Sequence, residues 1–260
     1  MLQNVLHRVD KTYQAFFLRG RGFPRFKGKG WFDSFTYPQL GFSVNRNQLG
    51  LSKIGNVKIK LHRRLWGEVK TLTIKHETGQ WYACFSCLVE AEPLPENESA
   101  VGLDVGLESF AVTSDWESID NPRWFGAAQK ELRRKQRHVP RCVQGSRGWK
   151  RAWRLVGNLH RRVLNQRNDF QHRLSRELVN HYGFLALEDW KVQGLAGGML
   201  AQSVHDAAWS SFLRKLSYKA ESAGRQLVRV DARGTSQPCP CGNPVPKKLG
   251  EGNMPAKCAV

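Results

Sequence analysis

Two acids close apolar runs far apart in this chain. Asp104 stands in Val101-Gly102-Leu103-Asp104-Val105-Gly106-Leu107, and Glu188 ends the run Phe184-Leu185-Ala186-Leu187. Each run reads as a buried strand that delivers a carboxylate to its far end. Two such strands side by side would bring both acids to one divalent ion. Carboxylates at a shared site repel unless a cation lies between them or one is protonated. Mg2+ (or Mn2+) takes one or two carboxylates and fills its other positions with water and phosphate oxygens. A pair of ions ~3.5–4 Å apart can hold both oxygens of an in-line displacement, and the second ion normally needs a third carboxylate. For Asp104 alone, a turn aspartate capping a hairpin is the alternative. For the two together, the alternative is a glycosidase acid pair.

Charge weighs against a neutral sugar. Lys and Arg number 41 against 22 acids, a formal charge of +19 over 260 residues. A polyanion, first of all nucleic acid, is the expected partner, with a membrane surface second. No apolar run approaches the ~20 residues of a spanning helix. Met1 opens no signal-peptide pattern. These features predict a cytoplasmic, nucleoid-associated protein without membrane or small-molecule cofactor, whose six Cys are reduced thiols or metal ligands.

The elements that must position the acids follow from periodicity. Residues 1–30 form an amphipathic helix on Leu2, Leu6, Val9, Tyr13 and Phe16, then a basic elbow containing Arg25 and Lys27. The elbow is either a nucleic-acid contact or a solvated linker. Residues 31–97 hold short strands at Ser34–Tyr37, Gly41–Val44, Gln48–Leu51, Val57–Leu61, Val69–Lys75 and Gln80–Val89, a small antiparallel barrel. There Arg63 and Arg64 are a nucleic-acid contact or a solvated edge. Cys84 and Cys87 fall on opposite strand faces and read as core thiols. An acidic, proline-broken linker ends near Asn97.

Residues 98–234 read as an α/β layer, with helices Gln129–His138, Ser146–Tyr182 and Ser203–Ala223 and strands at 101–107, 110–113, 184–187 and 226–230. In the long helix, Trp149, Trp153, Val156, Leu159, Val163, Phe170, Leu174 and Leu178 make an apolar stripe. Lys150, Arg151, Arg154, Arg161 and Arg162 lie opposite, and Arg133, Arg134 and Arg137 add to them from the shorter helix. Glu131 is the acid within that cationic stretch. So one-signed a surface attracts phosphates. Residues 235–260 hold Cys239, Cys241 and Cys258, a Zn2+ knuckle short of four ligands or a free-thiol tail.

The runs Val101–Leu107, Leu187-Glu188-Asp189 and Thr235-Ser-Gln-Pro-Cys239 resemble the TnpB (OrfB) family of insertion-sequence proteins. Supporting stretches are Pro24-Arg-Phe-Lys27, Asn165–Ser175 and Leu216–Glu221. The resemblance implies an RNase H-like, RuvC-type nuclease domain behind a small β-barrel, with an inserted zinc ribbon, here a degenerate stub. It implies a guide RNA and DNA as partners. Asp104 and Glu188 match the first two acids of the family's metal-binding triad. The third acid belongs to an Asp-Arg-Asp-x-Asn-Ala-Ala stretch, which these 260 residues do not contain. The reading is therefore a chain truncated at both ends, a nuclease of weak or absent cleavage. The rivals are a non-catalytic guide-directed repressor and a decayed gene product.

Overall fold

A computed structural model describes residues 2–26, 28, 32–188 and 206–230. The chain divides into two compact units, Met1–Ala91 and Glu92–Val260.

The first unit opens with α1 (Leu2–Arg19), whose Tyr13 and Phe16 meet Phe23 edge-on after the helix ends. Six strands follow: β1 (Ser34–Tyr37), β2 (Phe42–Asn45), β3 (Gln48–Leu51), β4 (Gly55–Lys58), β5 (Glu68–Glu77) and β6 (Gln80–Leu88). They form two antiparallel three-stranded sheets, β1-β5-β6 and β2-β3-β4. Tyr37, Leu49, Leu51, Leu72 and Ile74 from both sheets share one core. The β5–β6 hairpin turns on Thr78 and Gly79, both at positive φ (49° and 82°), as a two-residue hairpin with the native twist requires. β4 sits earlier than the alternation of Val57, Ile59 and Leu61 predicts. Pairing with β3, Leu51 opposite Gly55, sets its register instead. Cys84 and Cys87 do fall on opposite faces, but Cys84 is exposed and Cys87 half-buried, so the core-thiol reading fails for Cys84. β6 has solvent on the side away from the shared core.

The second unit is built on a five-stranded sheet. Its strands are β7 (Ala100–Val105), β8 (Ser109–Thr113), β9 (Ser118–Asp120), β10 (Phe184–Glu188) and β11 (Gln226–Val230), in the order β11-β10-β7-β8-β9. β7, β8 and β9 form an antiparallel meander, while β10 and β11 run parallel to β7. Between β9 and β10 come α2 (Trp124–His138), a single 3-10 turn at Val139–Arg141 and α3 (Arg147–His181); α4 (Trp209–Ser222) precedes β11. Periodicity gives no sign of β9, which is three residues long with no alternation to read.

Helices α3 and α4 cover one face of the sheet. Val101, Leu103 and Val105 of β7 and Leu185 and Leu187 of β10 pack with Leu174, Leu178 and Val179 of α3 and Phe212, Leu216 and Ala220 of α4. Ser146 starts α3 by accepting from the Trp149 amide at 3.1 Å. The α3–α4 seam also buries two lysines. Lys215 donates to Asn168, Gln171 and Ser211, and Lys219 to Ser175 and the His172 carbonyl. Burial, then nearby Arg side chains, lowers both pKa values from the ordinary lysine range. The apolar stripe of α3 is correct at Val156, Leu159, Val163, Leu174 and Leu178, but Trp153 is 48% exposed. The outer half of α3 packs with α2 in a separate small core of Leu132, Val139, Ala152, Val156 and Leu159.

The proline-broken stretch before β7 is tied into this unit. Leu94 N–H bonds the Ala223 carbonyl, and the Pro95 carbonyl accepts from buried Arg225 at 2.7 Å. Asn97 then meets the α3–β10 corner, where a Cβ on Gly183 would lie 1.6 Å from the Asn97 carbonyl oxygen. Only a residue without a side chain fits there. Gly183→Ala is expected to destabilise by about 1–3 kcal/mol or more, as overpacking does. Gly126→Ala, in α2 with open space around it, is expected to stabilise by about 0.5–1 kcal/mol. Thermal melts of the two variants check this contrast.

Candidate metal centre and nucleic-acid interface

Strand parity places the two acids. Side chains alternate across a sheet, and Val101, Leu103 and Val105 face the helices, so Asp104 faces the other way. Leu185 and Leu187 likewise send Glu188 to that opposite face. β7 and β10 are hydrogen-bonded neighbours in parallel register, with Leu103 beside Leu187. One residue further on, Asp104 comes beside Glu188, on strands spaced roughly 4.8 Å apart. Val228 and Val230 of β11 lie 42% and 43% exposed, so among the described residues this face is open at the acids.

The proximity is felt electrostatically. Partial burial first, then the Glu188 carboxylate, pushes the Asp104 carboxyl above the ordinary carboxylate range. Two hard oxygen donors that repel one another on a shared face suit Mg2+ or Mn2+. No group of three or more His, Cys, Asp or Glu with metal-binding placement occurs among the described residues. Cys239, Cys241 and Cys258 lie outside the described residues, as do Asp231 and Lys27.

Both units carry exposed cations. In the first unit Arg25, Arg63 and Arg64 are exposed, and the Arg64 guanidinium sits 5.0 Å from the Trp66 ring centroid. In the second, Arg133, Arg134 and Arg137 of α2 and Lys150, Arg151, Arg154 and Arg162 of α3 are exposed. Arg161 is half-buried and donates to Asn158 at 3.1 Å. Glu131 pairs with Lys135 at 3.1 Å, so the acid in the stretch is neutralised within its own helix.

One residue that sequence reasoning missed joins the helices of the second unit. The α2 helix starts after Arg123, at φ 47°, with no side chain of its own as cap. Asp206, far along the chain, supplies the cap. Its carboxylate accepts from the Phe125 amide at 3.1 Å and the Gly126 amide at 3.3 Å, and from Arg167 of α3 at 3.3 Å. Gln171 donates to the Ala207 and Ala208 carbonyls beside it. One carboxylate thus holds the starts of α2 and α4 against α3. The sequence offers one clue to it, an α2 start with no Ser, Thr, Asn or Asp at the cap position.

A mixed sheet with a helical layer on one face, an acid pair on the other and a cationic helical hairpin beside it defines an α/β protein with a strand-borne carboxylate site. Residues 73–198 match the OrfB_IS605 family, described as "Probable transposase", and residues 209–259 match the Cas12f1-like TNB domain. The chain belongs to the OrfB (TnpB) family of insertion-sequence transposon proteins.

It is 31% identical over 261 residues to InsQ of Escherichia coli (strain K12), covering 93% of this chain and 65% of that protein. It is 33% identical over 236 residues to a Streptomyces pristinaespiralis protein, covering 88% of this chain and 59% of the other. Both carry the name "Putative RNA-guided DNA endonuclease". The chain therefore spans less than two thirds of the length of these relatives. Among solved structures, a chain of the "Cryo-EM structure of the Cas12f1-sgRNA-target DNA complex" aligns with TM-score 0.48 at 16% identity, over 68% of this chain and 39% of that one.

Two outcomes follow from the site. The Asp104 pKa is raised in the folded state, so its contribution to stability is full below the ordinary carboxylate pKa and is lost as pH rises through the raised value. Asp104→Asn is expected to melt higher than wild type at neutral pH without divalent ion, with the gap closing on acidification. Asp206→Ala leaves the largely buried Arg167 unpaired and α2 uncapped, and is expected to cost about 3 kcal/mol in chemical denaturation.

Proposed function

We propose that this chain binds a guide RNA and DNA through its cationic surfaces and holds Mg2+ or Mn2+ between Asp104 and Glu188. The observation that carries the reading is the pairing of those acids on neighbouring parallel strands, on one open face. Membership of the family and the names of the relatives support the choice of RNA and DNA. Counted within the second unit, the strand order is 5-4-1-2-3, with the first three antiparallel and the last two parallel. That order supports an RNase H-like, RuvC-type domain. The shared core of the two small sheets supports a barrel-like domain before it. In the same reading Cys239, Cys241 and Cys258 belong to a degenerate zinc-ribbon stub, and the protein works in the cytoplasm.

The bound ion would supply charge neutralisation at a phosphodiester. The chain's own residues do the rest. β7 and β10 fix the two carboxylates by backbone pairing, so neither needs to reorganise. Arg133, Arg134 and Arg137, with Lys150, Arg151, Arg154 and Arg162, hold phosphates along the hairpin, and Arg25, Arg63 and Arg64 do so on the first unit. Asp104 and Glu188 stand where the family carries two of its three metal-binding acids.

Titration of the protein with Mg2+ tests the centre. Wild type is expected to gain melting temperature with Mg2+, and Asp104→Asn and Glu188→Gln to gain little. Equal gains in all three would remove the acids from the metal site. For the interface, Arg151→Gln with Arg154→Gln is expected to weaken RNA binding. The plot of log affinity against log salt is expected to flatten by about 0.7 for each phosphate the variant no longer neutralises.

A further inference from the structure

At the tip of the α2–α3 hairpin, Trp149 and Trp153 stand one turn apart with ring centroids 6.1 Å apart and planes at 77°. Trp149 packs onto the small core beneath. Trp153 does not, and it is 48% exposed. The two indoles wall a cleft of about 400 Å³ that is closed by the Val139–Pro140 turn and by Cys142, with Gln136 and Gln144 among its lining side chains. Lys150 and Arg154, the next residues in α3 after the two indoles, are exposed. About half of the Trp153 indole faces water instead of the core.

We propose that this cleft takes one unpaired nucleobase of a bound RNA, stacked on Trp153, while the flanking phosphates lie against Lys150 and Arg154. The choice of occupant rests on charge and chemistry. A second copy of this chain would bring the same cations to the same place and be repelled. A flat π-face suits any base, and stacking on an exposed aromatic is tolerant of sequence. The two Gln amides each carry a donor and an acceptor, matching the mixed edge of a base. The cleft also falls in the roughly 300–1,000 Å³ range of small-ligand sites. The inference rests on the nucleic-acid reading above and adds to it a discrimination between unpaired and paired RNA.

The test uses the full chain and two labelled probes, a 20-nucleotide oligoadenylate and a fully paired RNA duplex with the same number of phosphates. Trp153→Leu keeps apolar bulk and removes the ring of a residue that is not part of the small core. It is expected to weaken oligoadenylate binding about tenfold and leave duplex binding within about twofold, with Trp153→Tyr restoring most of the loss. Oligoadenylate is also expected to slow iodoacetamide alkylation of Cys142, read by peptide mass spectrometry, in wild type and not in Trp153→Leu. The proposal is overturned if Trp153→Leu binds both probes like wild type, or weakens on both equally. It is overturned too if the substitution instead dissociates a dimer in sedimentation, which would make the cleft a self-contact. If wild type binds neither probe, the nucleic-acid reading itself fails, a result distinct from wild type binding both while Trp153→Leu is unchanged.

Discussion

Backbone pairing between two parallel strands holds a pair of like charges together. Asp104 and Glu188 repel, and in a flexible chain they would move apart. Here the β7–β10 register fixes them on one face at one level. Leu103, Val105, Leu185 and Leu187 on the other face, buried under α3 and α4, keep that register from slipping. A one-residue slip of either strand would turn that strand's apolar residues to water and its acid into the core. The apolar face therefore sets where the acids point, and the raised pKa of Asp104 is the cost of holding them there.

The helical hairpin has a different problem. Its cations repel along a 35-residue α3 and a 15-residue α2, and its small core of five buried side chains holds the pair together. The join to the rest of the unit is polar. Asp206 caps α2 and pairs with Arg167, Gln171 ties α3 to the residues before α4, and Lys215 and Lys219 fill the seam with donors whose acceptors all come from α3 or α4. A seam of directional bonds fixes orientation more tightly than apolar packing alone, because each buried polar group is costly if it loses its partner.

Much of this is legible in the sequence where the signal is local. Strands at 34–37, 48–51 and 226–230 fall where the alternation places them. Ser146 marks the start of α3, and its buried residues follow the 3.6-residue period. Periodicity puts the start of α2 at Gln129, although the helix begins at Trp124, because its cap is Asp206 and no residue beside it announces a boundary. Trp153 counts as core by period, yet nearly half of it faces water. Cys84 reads as buried because thiols usually are, while it lies on the face of β6 turned away from the shared core.

The acids at the ends of two apolar runs, the one-signed helices and the family motifs are all fixed by residue types and short spacings, which any extended chain displays. That the acids are neighbours, that they share a face, and that a distant aspartate starts the cationic hairpin were decided by tertiary structure. The reason is that side-chain parity fixes a face only relative to whatever covers the other one. Pairing between strands about eighty residues apart is set by the whole core, not by either strand.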